Sequence, residues 1–304
     1  MKRLRVLFVG NTAGAMTPVA DWLCAKGHEA IILEVYYNDK YELTSRSPYA
    51  RMSTSANNFV LSIKKAIQDL NPTHIHVNAY YSNLPVIKAC SLFTPVIMHY
   101  HGIEIRFRKR IHPTVRLFAD KVIVSTPDLK KYGEWYGCPI PKEFYYRGGR
   151  ESGTAVIFFG KVLPLADTDE KTRDAEIICN KLGLKLTIIN NQKGESVPSS
   201  QMPEFLSKFE YLFDFKGLTH SPIFSKTALE ALSCGVKVIH DSNLNKVYTS
   251  YPIKTPQDYY ELYLSVKSPL TYKIPLQILA SRILTSYYIR KLGRKIISFF
   301  KMLR

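Results

Sequence analysis

The chain has 304 residues, of which 46% are hydrophobic and 22% are charged, so it should fold as an ordinary globular protein with room for two domains. Its longest apolar runs have strand length, well below the roughly 18 residues of a membrane span, and its five scattered cysteines favour a reducing cytoplasm over a disulfide framework. The net charge of +17 needs a partner or another reason, and nucleic acid, anionic lipid and anionic small substrates all qualify as partners.

The first half of the chain alternates between strand and helix patterns. The predicted strands are LRVLFVG, HEAIILEV, NPTHIHVN, TPVIMHY and DKVIVST. The predicted helices between them are Thr17 to Lys26, NFVLSIKKAIQDL and LPVIKACSLF. This alternation predicts a parallel sheet with helices on both faces, in which ligands bind at the carboxyl ends of the strands.

A stretch rich in proline and glycine, Gly137 to Gly153, is the predicted linker. After it the alternation restarts, with strands at TAVIFFG, LKLTIIN, EYLFDF and VKVIHD and helices at DEKTRDAEIICNKLG, MPEFLSKF and KTALEALSC. We therefore predict two Rossmann-like domains, at residues 1–145 and 146–265, followed by C-terminal helices at 266–304.

The segment HSPIFSKTALEALSCGVKVIH predicts a loop, a helix and a strand in close succession. Ser225 or Thr227 is the expected N-cap, and the unpaired amides and dipole of such a helix end attract phosphate. Lys226 adds a positive charge, Glu230 lies one turn further in where it can accept ribose hydroxyls, and Gly235 closes the helix. A capping box from Thr227 to Glu230 is a purely structural alternative that local physics leaves equally open.

This segment resembles the nucleotide-binding segment of the GT-B glycosyltransferases that retain anomeric configuration (the group 1, family-4-like enzymes). Its Ser-Lys-Thr resembles a divergent, mainly archaeal branch. The matching residues are Phe224, Leu229, Glu230, Ala231, Leu232, Cys234, Gly235, Val238 and Ile239. By this resemblance Glu230 falls on the family's ribose-binding glutamate. The glutamate that contacts the donor sugar falls on Pro222, and this departure bears on donor identity and on activity.

Other segments resemble the same family in the same order, from Leu4 to Asp241. They are NTAGAMTPVADWLCAKGHEA, NPTHIHVN, MHYHGIEIR, KVIVSTPDL and MPEFLSKFEYLFDF. The family's phosphate-binding arginine falls on Lys161, which follows Gly160. Its Lys-Gly is missing, and Lys171 or Arg173 is the expected substitute. Lysine acts on phosphate as a point charge without the planar fork of arginine.

The resemblance implies a GT-B fold with an active site in the cleft between two domains and a helical C-terminal tail. The implied reaction moves a sugar from a nucleotide-diphosphate sugar to an acceptor such as a lipid-linked glycan or glycoconjugate, with retention and without metal or other cofactor. The implied catalytic residues are His101 and Lys161. The implied donor-binding residues are Gly14, Gly160, Lys161, Phe224, Ser225, Lys226, Thr227 and Glu230.

Two pairs of histidines share strand faces, His74 with His76 and His99 with His101. Four such residues have the chemistry of a zinc site. We favour the alternative that they are strand-end residues of an α/β protein, with His101 near the donor sugar.

Positive charge is concentrated in two places. The first is RFRKR, where Arg106, Arg108, Lys109 and Arg110 are expected to face the acceptor or a membrane. The second is Arg282 to Arg304, with seven Lys and Arg and no acid. As a helix, this tail is amphipathic and fits the surface of an anionic membrane, so we expect a cytoplasmic protein with peripheral membrane contact. The alternative is a helix that packs on the first domain.

Two other classes of function remain open. One is a non-catalytic protein of this type that binds a nucleotide or glycan or partners an active subunit, which Pro222 and the missing arginine motivate. The other is a nucleic-acid-binding protein, which we disfavour because the charge is local and no recognised nucleic-acid motif is present.

Overall fold

The structure is a computed structural model. It describes residues 3–36, 44, 47–53, 55–106, 108–145, 149–159, 165–198, 200–215, 224–240 and 243–267. Two compact units are present. Of the described residues, 3–137 and 256–267 belong to the first unit, and those within 138–255 belong to the second. None of the helices in these ranges is long and apolar enough to cross a membrane.

The described part of the first unit contains a seven-stranded parallel sheet in the order β3-β2-β1-β4-β5-β6-β7. Its strands are β1 (Arg5–Val9), β2 (Glu29–Val35), β3 (Ala50–Ser53), β4 (His74–Asn78), β5 (Val96–Tyr100), β6 (Lys121–Val124) and β7 (Glu134–Trp135). The helices are α1 (Thr17–Ala25), α2 (Ala56–Leu70), α3 (Leu84–Cys90), α4 (Ile103–Arg106) and α5 (Pro113–Phe118).

This strand order reverses direction beside β1. The chain runs from β1 outward to β3, and then returns to place β4 on the other side of β1. All residues of β4 and β5 are buried, as expected for central strands of a parallel sheet that is covered on both faces. A crevice forms at the carboxyl ends of strands where the order reverses, and α/β proteins bind ligands there.

The described part of the second unit contains a five-stranded sheet in the order β12-β11-β10-β8-β9. Its strands are β8 (Thr154–Phe159), β9 (Lys185–Asn190), β10 (Tyr211–Asp214), β11 (Lys237–His240) and β12 (Asn243–Tyr248). The helices are α6 (Leu165–Leu182), α7 (Met202–Ser207) and α8 (Lys226–Ser233). The order reverses beside β8, which creates a second crevice at the ends of β8 and β10.

All strands and helices predicted over residues 4–240 are present. The second sheet is mixed, because its edge strand β12 runs antiparallel to β11. This strand was not predicted because its residues are mostly polar and exposed. The short elements β3, β7, α4 and α5 were not predicted either.

One more helix, α9 (Pro256–Ser265), follows the second unit in the chain and belongs to the first. The sequence analysis assigned it to the second domain. It packs on α1 and buries Tyr259, Tyr260 and Tyr263 against the first unit's aromatic residues, so packing overrides chain order. The rest of the predicted helical tail lies outside the described residues.

Candidate functional site

The crevice of the first unit is built around the turn that follows β1. Gly10 has a φ of +85°, and a Cβ there would lie 2.4 Å from the ring of Tyr80 and 2.7 Å from the carbonyl oxygen of Asn78. Only glycine fits this position. Gly14, which the resemblance implies in donor binding, lies in the same turn with a φ of +68°.

A buried carboxylate holds this turn in place. Glu34, near the end of β2, accepts hydrogen bonds from the Asn11 amide at 2.8 Å, the Val35 amide at 2.7 Å and the Tyr80 hydroxyl at 2.5 Å. The Asn11 side chain in turn accepts the Met16 amide at 2.7 Å. Glu34 is not among the residues predicted from the sequence, although it follows four apolar residues in the strand EAIILEV, and that position was a usable signal.

Beside the turn, imidazole rings form the buried part of a hydrogen-bonded chain. Nδ1 of His76 lies 2.9 Å from the hydroxyl of Tyr263, and Nε2 of His76 lies 3.2 Å from Nδ1 of His99. Burial, with a smaller contribution from the nearby His101, lowers the pKa of His76 to about 3 and the pKa of His99 well below its usual range. Burial also raises the pKa of Tyr263 well above 10. All three side chains are therefore neutral at pH 7.

The hydrogen-bonded chain continues from His99 to the crevice. The Ser125 hydroxyl lies 2.8 Å from Nε2 of His99 and 2.9 Å from Nδ1 of His101. Nε2 of His101 lies 3.0 Å from Oδ1 of Asn78, whose Nδ2 donates to the Gly10 carbonyl at 3.0 Å. The structure thus brings His101 to the β1–β4 crevice. Ser125 and Asn78 were not among the predicted site residues.

The fourth histidine, His74, lies outside this chain. Its Nε2 is 3.4 Å from the carbonyl oxygen of Val266, and its Nδ1 is 3.2 Å from the Thr73 hydroxyl. In the described part of the molecule, no group of three His, Cys, Asp or Glu side chains is arranged to hold a metal ion.

The basic stretch after β5 divides into two parts. Arg106 is held inside the unit, because its guanidinium donates to both carboxylate oxygens of Asp128, at 3.0 and 3.2 Å, and to the Thr126 hydroxyl at 2.8 Å. Arg108, Lys109 and Arg110 are exposed. This basic cluster, residues 108–110, is the part that can meet an external anion.

In the second unit, the N-terminus of α8 is capped by Ser225. The Ser225 hydroxyl accepts a hydrogen bond from the Ala228 amide at 2.9 Å. Thr227 lies inside the first turn, so the alternative capping box from Thr227 to Glu230 does not form. The helix ends at Gly235 with a φ of +79°, as predicted.

Glu230 is buried one turn into α8. Only 8% of its surface is exposed, and its Oε1 lies 3.6 Å from Nζ of Lys226. Burial raises the pKa of the Glu230 carboxyl, and Lys226 opposes this effect. Among the described residues, Lys226 is the one partner of this carboxylate. A carboxylate can accept about four hydrogen bonds, so Glu230 retains capacity for the hydroxyls of a ligand.

A second acid lies behind the start of α8. Asp214, at the end of β10, accepts the Ser225 amide at 2.8 Å, and its Oδ2 is 3.8 Å from Nε2 of His240. The ring of Phe224 packs edge-on against His240 at 5.4 Å. Asp214 and His240 were not predicted as site residues, although each is a polar residue at the end of a predicted strand.

Nζ of Lys171 on α6 lies 5.7 Å from the ring centroid of Phe215, directly after β10, which places this lysine at the carboxyl edge of the sheet. Gly160, Lys161 and Pro222 lie outside the described residues.

No protein-family model matches the chain, and no curated protein matches it either. Among solved structures, the chain is similar to a glycosyltransferase from Rickettsia africae ESF-5, with 13% identity, 94% of each chain covered and a TM-score of 0.51. It is also similar to the UDP-GlcNAc 2-epimerase from Methanocaldococcus jannaschii, with 9% identity, 92% of each chain covered and a TM-score of 0.50. The fold is GT-B-like. The prediction of two Rossmann-like α/β domains is confirmed. Because the sequence identities are this low, the similarity to these structures supports the fold alone.

Proposed function

We propose that this GT-B-like protein is a glycosyltransferase that moves a sugar from a nucleotide-diphosphate sugar to an acceptor with retention of configuration. The observation that carries the proposal is the buried Glu230, whose one partner among the described residues is Lys226, behind the helix N-terminus that carries this lysine. The carboxylate suits the two hydroxyls of a ribose. The first turn of α8 and Lys226 suit a diphosphate. One solved structure of similar fold is named as a glycosyltransferase, and another is named for its action on a UDP-sugar.

In this proposal the protein supplies positive charge and amide dipoles where negative charge grows on the leaving diphosphate. Lys226 and Lys161 contact the diphosphate, with Lys171 as a third cation. The donor's own phosphate helps to take the acceptor proton, so neither a strong protein base nor a metal ion is required. Activity is tested by incubating the protein with nucleotide sugars and candidate glycan or lipid-linked acceptors. The release of nucleoside diphosphate and the anomeric configuration of the product are followed by NMR.

We expect Glu230→Gln to weaken nucleoside diphosphate binding by about 1–3 kcal/mol, because a charge-assisted hydrogen bond to the ribose is lost. Calorimetry with the full chain measures the change in Kd. The matched control is Glu204→Gln, which changes a carboxylate of the same unit whose side chain is 76% exposed. Unchanged affinity together with a lower Tm would instead make Glu230 a structural residue.

A second candidate function is epimerisation of a nucleotide sugar, which is favoured by the likeness to a UDP-GlcNAc 2-epimerase fold. The same NMR experiment separates the two reactions. Transfer needs an acceptor and releases nucleoside diphosphate, whereas epimerisation needs no acceptor and leaves the nucleotide attached to a new sugar epimer.

The basic cluster at 108–110 and the C-terminal tail are proposed to hold the protein at an anionic membrane surface, close to a lipid-linked acceptor. Each basic residue near such a surface contributes about 1 kcal/mol, in a salt-dependent manner. Replacing Arg108, Lys109 and Arg110 by glutamate, or deleting the last ten residues, should reduce sedimentation with anionic liposomes and leave nucleotide binding unchanged.

The control for the liposome experiment is Arg106→Gln. This change removes a basic residue that is paired with Asp128 and should affect stability more than membrane binding. Liposome binding that survives both the triple substitution and the deletion at physiological salt contradicts the membrane proposal.

A further inference from the structure

We propose that Asn78, Ser125 and His99 are positioning residues that fix His101 in a single tautomer, with its proton on Nε2 and none on Nδ1. The observation is the continuous hydrogen-bonded chain from the Gly10 carbonyl to the buried Tyr263 hydroxyl. Every link in this chain lies between 2.8 and 3.2 Å.

The order of donors and acceptors along this hydrogen-bonded chain is set at its crevice end. The Gly10 carbonyl can only accept, so the Asn78 amide nitrogen must face it. Oδ1 of Asn78 then faces Nε2 of His101, at 3.0 Å, and an amide oxygen can only accept. Nε2 of His101 must therefore carry the proton. Turning the Asn78 amide over would place two oxygens against each other at Gly10.

The remaining donors follow in order. We assign His101 the neutral form, in which an imidazole has one N–H and one acceptor nitrogen, so its Nδ1 accepts the Ser125 hydroxyl. The Ser125 oxygen in turn accepts Nε2–H of His99, Nδ1 of His99 accepts Nε2–H of His76, and Nδ1 of His76 accepts the Tyr263 hydroxyl. No link is left with two donors or two acceptors facing each other.

One observation supports this order from the buried end. The lowered pKa values of His76 and His99 keep both rings neutral, as the alternation requires. In a dry interior such a fully satisfied network holds one arrangement.

The consequence for chemistry concerns which atom of His101 can act. Its Nδ1 accepts the Ser125 hydroxyl, whereas its Nε2–H lies at the crevice beside the Gly10 turn, where a ligand oxygen can share it with Asn78. His101 is then a hydrogen-bond donor to substrate and not a base. This assignment of a role in transfer rests on the proposed function. The tautomer itself does not.

The experiment is long-range ¹H–¹⁵N NMR at pH 7.5 on the full chain with ¹⁵N-labelled histidine, a measurement that distinguishes the two neutral tautomers and the cation. We expect His76, His99 and His101 all to be neutral with the proton on Nε2. No substrate is needed, so this test can fail while sugar transfer is demonstrated, and the reverse also holds. A wild-type spectrum that shows His101 protonated on Nδ1 or charged overturns the proposal.

Three variants test the positioning residues themselves. Ser125→Ala should shift the Nδ1 resonance of His101 towards that of a nitrogen without a hydrogen bond, and Ser125→Thr should restore it. Combining Ser125→Ala with Asn78→Leu should give both tautomers at His101. An unchanged Nδ1 resonance in Ser125→Ala overturns the proposal, because a residue that only packs would not move it. If the double variant does not fold, the wild-type spectrum and the alanine–threonine pair still decide.

Discussion

Replacing Tyr263 by alanine is expected to lower the free energy of unfolding of the first unit by about 3–5 kcal/mol, the usual cost of deleting a large buried aromatic side chain. Tyr263 on α9 is fully buried. Its ring lies 5.7 Å from that of His74, 6.0 Å from that of His76 and 6.4 Å from that of Phe8. Deleting this side chain leaves a cavity beneath a helix that joins the unit only after the whole second unit.

Two substitutions accompany this experiment. Tyr263→Phe keeps the packing and removes the donor to His76, so we expect a loss of about 1–3 kcal/mol for the unsatisfied buried acceptor. Leu264→Ala on the same helix changes a side chain that is 42% exposed and should cost roughly 0.5 kcal/mol or less. Both tryptophans, Trp22 and Trp135, belong to the first unit, so urea unfolding followed by tryptophan fluorescence reports on that unit. A cost for Tyr263→Ala no larger than that for Leu264→Ala would mean that α9 is dispensable.

The position of α9 also shows where the sequence was insufficient. The strand–helix alternation predicts both sheets, because central parallel strands such as β4 are continuous apolar runs bounded by turns. The periodicity of the sequence indicates which face of α9 is apolar. It does not indicate which of the two units that face packs against. The long-range aromatic contacts of Tyr259, Tyr260 and Tyr263 decide it, and no local pattern encodes them.

The candidate site, like the fold, could be predicted only in part from the sequence. Local rules predicted Ser225 or Thr227 as the N-cap, and Ser225 holds that position. The resemblance drew attention to Glu230 and His101. Local rules did not predict the partners, because each comes from a different strand end. Asp214 reaches Ser225 from β10, and Ser125 reaches His101 from beyond β6. A sequence can indicate that a polar residue ends a strand, whereas the sheet order decides which of these residues meet.

Lowering the pH from 7 to 5 is expected to destabilise the first unit by at least about 2 kcal/mol. The pKa of buried His76 in the folded protein is about 3, whereas an unfolded histidine titrates near 6.5. Between these values the unfolded chain binds more protons, so stability is complete above pH 6.5 and is lost as the pH falls towards 3. Each pH unit in this window costs about 1.4 kcal/mol per histidine. At pH 5 this gives about 2 kcal/mol for His76. The pKa of the buried His99 is also lowered by burial, so its titration adds to the loss in the same direction.

Urea unfolding at pH 7 and pH 5, again followed by tryptophan fluorescence, measures this difference. His76→Gln keeps an amide that can donate to His99 and removes one titrating group, so the loss between the two pH values should become smaller by about 2 kcal/mol. His112→Gln is the matched control, because burial lowers the pKa of this half-buried histidine less strongly and its removal should leave most of the loss in place. Equal stability of the wild-type protein at both pH values would contradict the conclusion that His76 and His99 are buried and neutral. A steep loss that His76→Gln does not reduce would place the titrating groups elsewhere. The carboxylate of Asp128 does not account for a loss between pH 7 and pH 5, because Arg106 lowers its pKa in the folded protein and an unfolded aspartate titrates only near pH 3.9.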